Sequence, residues 1–183
     1  ETLVGAVLST GRVQFSDLHR CAPDEPPQLV IGAPMHVTNA GGVEQVGVLL
    51  LFADVVNTLY PLLQAWPMTT TTAETLLVER EGDEVIYLND LRHRAGAALS
   101  LRLPISDTRL IATAAVAGYE GSMDGHDYRD IDILAHVGSV PNSLWHVVSK
   151  MDLSEVYAPV TSRIGLFVGS ALAFTALTVL LLS

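Results

Sequence analysis

The stretch HDYRDIDILAHVGSVPNSLWHVVSKMD, residues 126–152, indicates the fold more clearly than any other part of the sequence. Apolar and polar residues alternate over 127–137 and again over 144–151, and the segment 138–143 between them contains the turn-forming pair Pro-Asn. A period of two residues is typical of a strand that buries one face and leaves the other in water. We therefore predict a β-hairpin at the end of an antiparallel sheet.

The segment after the hairpin is predicted to be helical and to enter a membrane. Asp152 stands where an N-cap would, and Glu155 stands at the reciprocal position of a capping box. Residues 164–182 carry no charge and match the roughly 20 apolar residues that cross a bilayer core. Because the sequence lacks an initial Met and ends inside this apolar run, we expect it to be a fragment of a longer polypeptide.

Charge, cysteine content and motifs exclude several classes of protein. The formal net charge is −10, and such an acidic surface repels phosphate backbones, so we expect no nucleic-acid partner. Cys21 is the single cysteine, so the chain forms no internal disulfide. The sequence contains no Gly-x-Ser-x-Gly, no phosphate-binding loop and no His-Glu-x-x-His motif. We predict that this segment is not an enzyme and needs no cofactor.

A first group of elements is expected before residue 67. Residues 28–37 and 43–53 read as strands, and the second is apolar enough to be buried on both faces. A helix is expected over 55–66, with Pro61 shortening or kinking it. The polar run 67–72 then marks a domain boundary.

A second group of elements follows this boundary. Residues 74–80 and 84–90 read as two strands joined by a turn that contains Gly82. A short helix is expected over 108–117, and the glycine-containing segment 121–125 reads as a mobile loop before the final hairpin.

Four segments together resemble the Cache domains, which are PAS-like ("PDC") extracytoplasmic sensor domains of bacterial receptors. They are LYPLLQAWP (59–67), TAETLLVEREGDEVIYLNDLRHR (72–94), HDYRDIDILA (126–135) and VPNSLWHVVSKMDLSEVYAPV (140–160). The sequence departs from the family pattern at Asp130, where many relatives have Gly after Asp-Tyr-Arg.

The resemblance implies an α+β fold, with a PAS-like antiparallel sheet and flanking helices, followed by a transmembrane helix. Residues 1–66 would be the C-terminal part of a membrane-distal domain with its connecting helix, and 67–152 a complete membrane-proximal domain. Residues 153–163 would be a juxtamembrane helix, and 164–183 the start of the transmembrane helix.

By the same resemblance, the chain would be the periplasmic, ligand-sensing part of a membrane receptor of the sensor histidine kinase or diguanylate cyclase type. Everything before residue 163 would lie outside the membrane, and a homodimer joined through its helices is the expected assembly. Two alternatives stay open. The proximal domain is a structural spacer that transmits without binding, or the ectodomain recognises a protein partner.

The candidate ligand contacts are charged and aromatic side chains in or next to predicted strands. Such groups suit a small carboxylate or an amino acid, because Arg binds carboxylates with two hydrogen bonds and Tyr suits a half-buried wall. They are Asp127, Tyr128 and Arg129 in the hairpin stretch, Arg92 and His93 after a strand, and Asp17 and His19 in the distal part. His136 and His146 invite a metal site across the hairpin, but two ligands without a third make no zinc site, and we predict no metal.

Overall fold

The computed structural model describes residues 2–159 except 23, 24, 40 and 68, together with the helical positions 167, 170, 178 and 179. The predicted transmembrane segment, 164–182, falls almost wholly outside these described residues. Within the described part of the chain, no helix has both the length and the apolar character needed to cross a membrane.

The first part of the chain forms a three-stranded antiparallel sheet. Helix α1 (Leu3–Thr10) is followed by β1 (Gln14–Phe15), β2 (Gln28–Asn39) and β3 (Gly42–Asp54), in the order β1-β2-β3. The helix packs against β2 at Gly32, where an added Cβ would lie 2.8 Å from the side chain of Val7. The two strands expected in this part of the chain are therefore confirmed, and both are longer than expected.

The expectation that residues 43–53 are buried on both faces is wrong. Leu49, Leu51 and Phe52 of β3 are exposed, with 68% of Phe52 accessible. Among the described elements, α1 is the main one that packs on a face of this strand, so much of its apolar surface stays uncovered.

The helix expected over 55–66 is shorter than its apolar pattern suggested. Residues 55–58 form a turn, in which Asp54 accepts a hydrogen bond from the backbone N–H of Asn57 at 3.2 Å. Helix α2 (Leu59–Gln64) follows, with Pro61 near its start, where proline is tolerated. The hydroxyl of Tyr60 donates to the carbonyl of Leu88 at 2.6 Å and so fixes this helix to the second sheet.

The second sheet has six antiparallel strands in the order β6-β5-β4-β9-β8-β7. This architecture, a curled antiparallel sheet with a few helices, confirms the α+β class. A single helix, α3, lies between β6 and β7 in the chain, and residues 153–159 are helical after β9. The elements are β4 (Glu74–Glu81), β5 (Glu84–Tyr87), β6 (Arg102–Pro104), α3 (Ile111–Val116), β7 (Gly121–His126), β8 (Asp132–Ser139) and β9 (Trp145–Asp152).

Both faces of the second sheet carry apolar clusters. One face packs against α3 and contains Val78, Tyr87 and Val148 among its buried residues. The opposite face packs against α2, where Tyr60 and Trp145 are buried in the same cluster. The central strands β4 and β9 are therefore covered on both sides.

The final hairpin is confirmed, but its first strand begins later than expected. Ile133, Ala135 and Val137 of β8 are buried, and the residues between them are exposed. Residues 127–131 form a turn that joins β7 to β8, because the carboxylate of Asp127 accepts hydrogen bonds from the N–H groups of Arg129 and Ile131. Residues 121–125, expected to be a mobile loop, belong to strand β7 instead, where their backbone pairs with β8.

The departure from the family pattern at Asp130 keeps the backbone conformation that glycine favours. Asp130 has a φ of 60°, in the left-handed region. Asp adopts this region more readily than most residues, and Arg109 contacts its carboxylate at 3.2 Å.

A substitution at Gly125 tests how closely β7 packs against α3. An added Cβ would lie 2.6 Å from the Cδ1 atom of Ile111 and 3.0 Å from the carbonyl oxygen of Arg109. We expect Gly125→Ala to lower the free energy of unfolding by about 1–3 kcal/mol, because either the helix or the strand must shift. Urea unfolding followed by circular dichroism measures this change.

Gly138 is the matched control, since it lies in β8 and an added Cβ there meets nothing within 4 Å. Gly138→Ala should change stability by less than about 0.5 kcal/mol. Equal effects of the two substitutions would contradict the close packing of β7 on α3.

Candidate functional site

Lys150 is the only lysine in the sequence, and its side chain is fully buried. It lies on β9 directly opposite Glu74 of β4, so the two side chains point to the same face of the sheet. Its ammonium nitrogen lies 2.8 Å from Asp127 Oδ2, 3.1 Å from Glu74 Oε2 and 3.9 Å from Asp152 Oδ1. Three separate parts of the chain therefore supply carboxylates to one buried cation.

Arg129 joins two of these carboxylates on their more exposed side. Its Nε donates to Asp127 Oδ2 at 2.7 Å, and its Nη2 donates to Asp152 Oδ1 at 2.5 Å. We call Glu74, Asp127, Arg129, Lys150 and Asp152 the ion cluster. Three acids and two bases give it a formal charge of −1.

The ion cluster keeps its central carboxylate ionised. Burial alone would raise the pKa of Asp127, but hydrogen bonds from Lys150 and Arg129 outweigh it, so the pKa lies below its usual range. The cluster is therefore a set of paired charges, and removing one member leaves the others uncompensated.

Tyr128 closes the ion cluster from the side of the turn. Its hydroxyl donates to Glu74 Oε2 at 3.0 Å, and its ring lies edge-on to Tyr87, with 5.9 Å between the ring centroids. The ammonium nitrogen of Lys150 is 5.3 Å from the centre of the Tyr128 ring, within the range of a cation–π interaction. Burial and the nearby charge of Glu74 raise the pKa of this phenol, so it stays a hydrogen-bond donor.

The end of β9 connects the ion cluster to the helical residues 153–159. The expected capping box does not form, because Glu155 accepts hydrogen bonds from the N–H groups of Thr71 and Thr72, at 3.0 and 2.8 Å, and from the Thr72 hydroxyl. The carboxylate of Asp152 accepts from Arg129 instead. The first turn of this helix is thereby fixed to the segment that leads into β4.

A cavity of about 370 Å³ adjoins the ion cluster at Glu74. The backbone N–H of Arg92 donates to Glu74 Oε1, and the Arg92 guanidinium donates to the carbonyl of Thr70 at 3.0 Å. The indole nitrogen of Trp66 is buried and has no hydrogen-bond partner among the described residues. The lining residues are Gln64, Trp66, Ala73, Glu74, Thr75, Asp90, Leu91 and Arg92.

The structure brings together five of the seven residues proposed from sequence as ligand contacts. Asp127, Tyr128 and Arg129 lie in and around the ion cluster, Arg92 lines the cavity, and the backbone of His93 contacts the Tyr128 hydroxyl. Their contact with a ligand stays a prediction.

Asp17 and His19 lie elsewhere in the molecule. Asp17 lines a separate cavity with Trp145, at the opposite end of β9 from Lys150. The Nδ1 atom of His19 is 3.0 Å from the carbonyl oxygen of Asp17. If these two residues bind a ligand, it occupies a different site.

The two histidines considered for a metal do not face each other. His136 pairs with Ser149 and His146 pairs with Ser139, so the two side chains lie on opposite faces of the sheet. Among the residues that the structure describes, no group of three His, Cys, Asp or Glu side chains is arranged to hold a metal ion.

Neither a protein-family model nor a curated protein sequence matches this chain. Solved structures do match it at the level of the fold. The ligand-binding domain of the amino acid chemoreceptor PctB from Pseudomonas aeruginosa PAO1, in complex with L-Arg, superimposes with a TM-score of 0.53 and 15% identity, covering 86% of this chain and 62% of that one. The corresponding domain of PctC from the same organism, in complex with GABA, superimposes with a TM-score of 0.53 and 16% identity. The match covers 83% of this chain and 61% of that one.

A third match is the extracellular domain assigned to a histidine kinase, mmHK1S-Z3, with a TM-score of 0.54 and 12% identity over 88% of this chain and 57% of that one. The chain thus spans about three fifths of the length of these solved domains. It has the fold of the ligand-binding and extracellular domains of chemoreceptors and histidine kinases. This confirms the Cache-like fold expected from the sequence.

Lys150→Met tests whether the ion cluster stabilises the fold. The substitution leaves Glu74 buried without a cation and leaves Asp127 with Arg129 alone. We expect a loss of about 3–5 kcal/mol in the free energy of unfolding. Adding Glu74→Gln should restore part of that loss. Urea unfolding of the two variants measures both effects.

Arg102→Met is the control, because Arg102 pairs with Glu81 at 2.8 Å on the exposed edge strand β6. Arg102→Met should lower the free energy of unfolding by at most about 1 kcal/mol. A Lys150 variant as stable as the Arg102 variant would show that the cluster contributes nothing.

Glu155→Gln tests the contact between the helix and the segment before β4. Hydrogen bonds from the Thr72 hydroxyl and the Thr71 N–H lower the pKa of Glu155 from 4.5 to about 2. A lowered folded-state pKa means that the stabilisation is complete above about pH 4.5 and is lost as the pH falls toward about 2.

The difference in urea midpoint between the wild type and Glu155→Gln should therefore be largest near about pH 6 and should shrink as the pH falls toward about 2. A difference that is constant over this range would contradict the ionised carboxylate contact.

Proposed function

We propose that this chain is the extracytoplasmic sensing module of a transmembrane receptor, which binds a small molecule and transmits the event through its C-terminal helix. Its fold is shared with the ligand-binding domains of chemoreceptors and with the extracellular domain assigned to a histidine kinase. That likeness concerns the fold alone, so the proposal also depends on the residues around Glu74.

The observation that carries the proposal is the position of Glu74 between a cavity and the ion cluster. One of its oxygens accepts from the cavity residue Arg92, and the other contacts Tyr128 and Lys150. From Lys150 and Arg129 the contacts continue to Asp152, at the start of the helical residues 153–159. A ligand that changes the partners of Glu74 therefore acts on the base of this helix.

A small carboxylate or an amino acid is the ligand class that we favour. Arg92 offers a guanidinium at the cavity, and Asp90 and Glu74 offer carboxylates, so the lining has groups for both charges. The solved domains with this fold contain L-Arg and GABA. Such a ligand biases the receptor only by its different affinity for the two states of the module.

The finer organisation belongs to the same proposal. Residues 67–152 would be the membrane-proximal module, 153–163 the juxtamembrane helix, and the part before residue 163 would lie in the periplasm. The receptor would act as a homodimer with a histidine kinase or diguanylate cyclase output.

A second candidate function is that of a transmitting spacer without a ligand. The ion cluster favours it, because Lys150 and Arg129 already have carboxylate partners within the protein. In that case the contacts from Glu74 to Asp152 would carry a movement that begins elsewhere.

A third candidate, recognition of a protein partner, is favoured by the exposed apolar side chains of β3. Stabilisation of the protein by any compound of a small-molecule panel would argue against the spacer.

The test is thermal unfolding of the full chain in detergent with a panel of amino acids, carboxylates, amines and divalent metals. A ligand at about a hundred times its dissociation constant should stabilise the protein by roughly 2.7 kcal/mol. We expect one chemical class to raise the melting temperature, and Arg92→Ala to abolish the rise.

Arg94→Ala is the matched control, since Arg94 is an exposed arginine of the same loop outside the cavity lining. It should keep the response. If no compound stabilises the folded protein, sensing by this cavity is wrong and the spacer is favoured.

A further inference from the structure

Glu74 is a carboxylate that two sites share. Its side chain is 5% exposed, and its Oε2 atom holds the ammonium of Lys150 at 3.1 Å on the inner side. The same residue lines the cavity on the outer side. An ammonium group is therefore already bound to this carboxylate from within the protein.

The remaining cavity lining also suits a cation. Asp90 adds a second carboxylate, and its Oδ1 atom accepts a hydrogen bond only from the backbone N–H of Ala98 among the contacts that the structure gives it. Trp66 adds an indole, whose face attracts cations. Arg92 is the one base in the lining, so two carboxylates and one guanidinium give a formal charge of −1.

Lys150 can release Glu74 without becoming an isolated charge. It lies closer to Asp127 than to Glu74, at 2.8 Å against 3.1 Å, and Asp152 is 3.9 Å away. A buried cation that keeps a carboxylate partner avoids the large cost of an unpaired charge.

We propose that the cavity binds the ammonium group of a small amine or amino acid, and that this group replaces Lys150 as the partner of Glu74. Lys150 then turns toward Asp127 and Asp152, and the contact between Arg129 and Asp152 changes at the base of the helix. This inference rests on the proposed sensing function and adds to it the chemical group of the ligand that the cavity recognises, a positively charged ammonium.

Selective labelling of lysine provides a direct test, because Lys150 is the single lysine and gives one side-chain signal in the full chain. Three probes of similar size separate the charges. L-alaninamide has the ammonium without a carboxylate, L-lactate has the carboxylate without the ammonium, and L-alanine has both. We expect L-alaninamide and L-alanine to shift the ¹⁵Nζ resonance of Lys150 in detergent micelles, and L-lactate to leave it unchanged.

Glu74→Gln should weaken binding of L-alaninamide at least about tenfold, because the substitution removes the charge that pairs with the ammonium. Glu79→Gln is the matched control, since Glu79 lies on the same strand but faces the opposite side of the sheet, opposite Trp145. It should keep the response of the wild type.

A shift caused by L-lactate but not by L-alaninamide would overturn the proposal, and so would the absence of a shift with all three probes. These failures are separable from failure of sensing itself. If other compounds of the thermal panel stabilise the protein in an Arg92-dependent way, sensing stands and only the ammonium inference falls. If no compound stabilises it, both fall.

Discussion

The buried ammonium of Lys150 is the constraint on which this end of the molecule depends. Removing a charged group from water is costly unless carboxylates and hydrogen bonds replace the solvent. Here Glu74 from β4, Asp127 from the turn before β8, and Asp152 from the end of β9 supply them. Since these groups come from three parts of the chain, Lys150 is compensated only when β4 and β9 are in register and the turn is closed. One side chain thus links strand pairing, turn geometry and the start of the helical residues 153–159.

The hairpin could be predicted from the sequence because its alternation is local and its turn has recognisable residues. The start of β8 could not, since Asp127, Arg129 and Ile131 continue an alternation that a strand would also show, and only the hydrogen bonds of the Asp127 carboxylate reveal a turn. The prediction that β3 is buried on both faces failed for a different reason. Apolar side chains such as Leu49 and Phe52 indicate a preference for burial, but the sequence does not say what packs against them.

The candidate site was only partly accessible to the same reasoning. Asp127 and Arg129 were found because a carboxylate, a phenol and a guanidinium in succession suit the recognition of a small polar ligand. Glu74 was missed because it reads as an ordinary charged residue at the start of a strand. Its role depends on pairing with Lys150, which is 76 positions away and becomes its neighbour only through the register of β4 and β9. One signal was available: the single lysine of the chain lies two positions from Val148, in the phase of the strand that is buried.

A closed set of ion pairs is compatible with switching, even though it looks like a purely structural feature. Breaking a buried pair is costly, but a cation that exchanges one carboxylate partner for another stays paired, so the two arrangements can differ by less free energy than a broken pair would cost. A ligand needs about 5.5 kcal/mol of differential affinity to raise the population of the state that it favours from about 1% to about 99%. Smaller differences in affinity produce partial shifts. The ion cluster has more carboxylates than cations, so Lys150 and Arg129 each have alternative partners within reach. The property that makes the cluster stable in one arrangement therefore also makes a second arrangement accessible, and Asp152 lies directly before the helical residues 153–159.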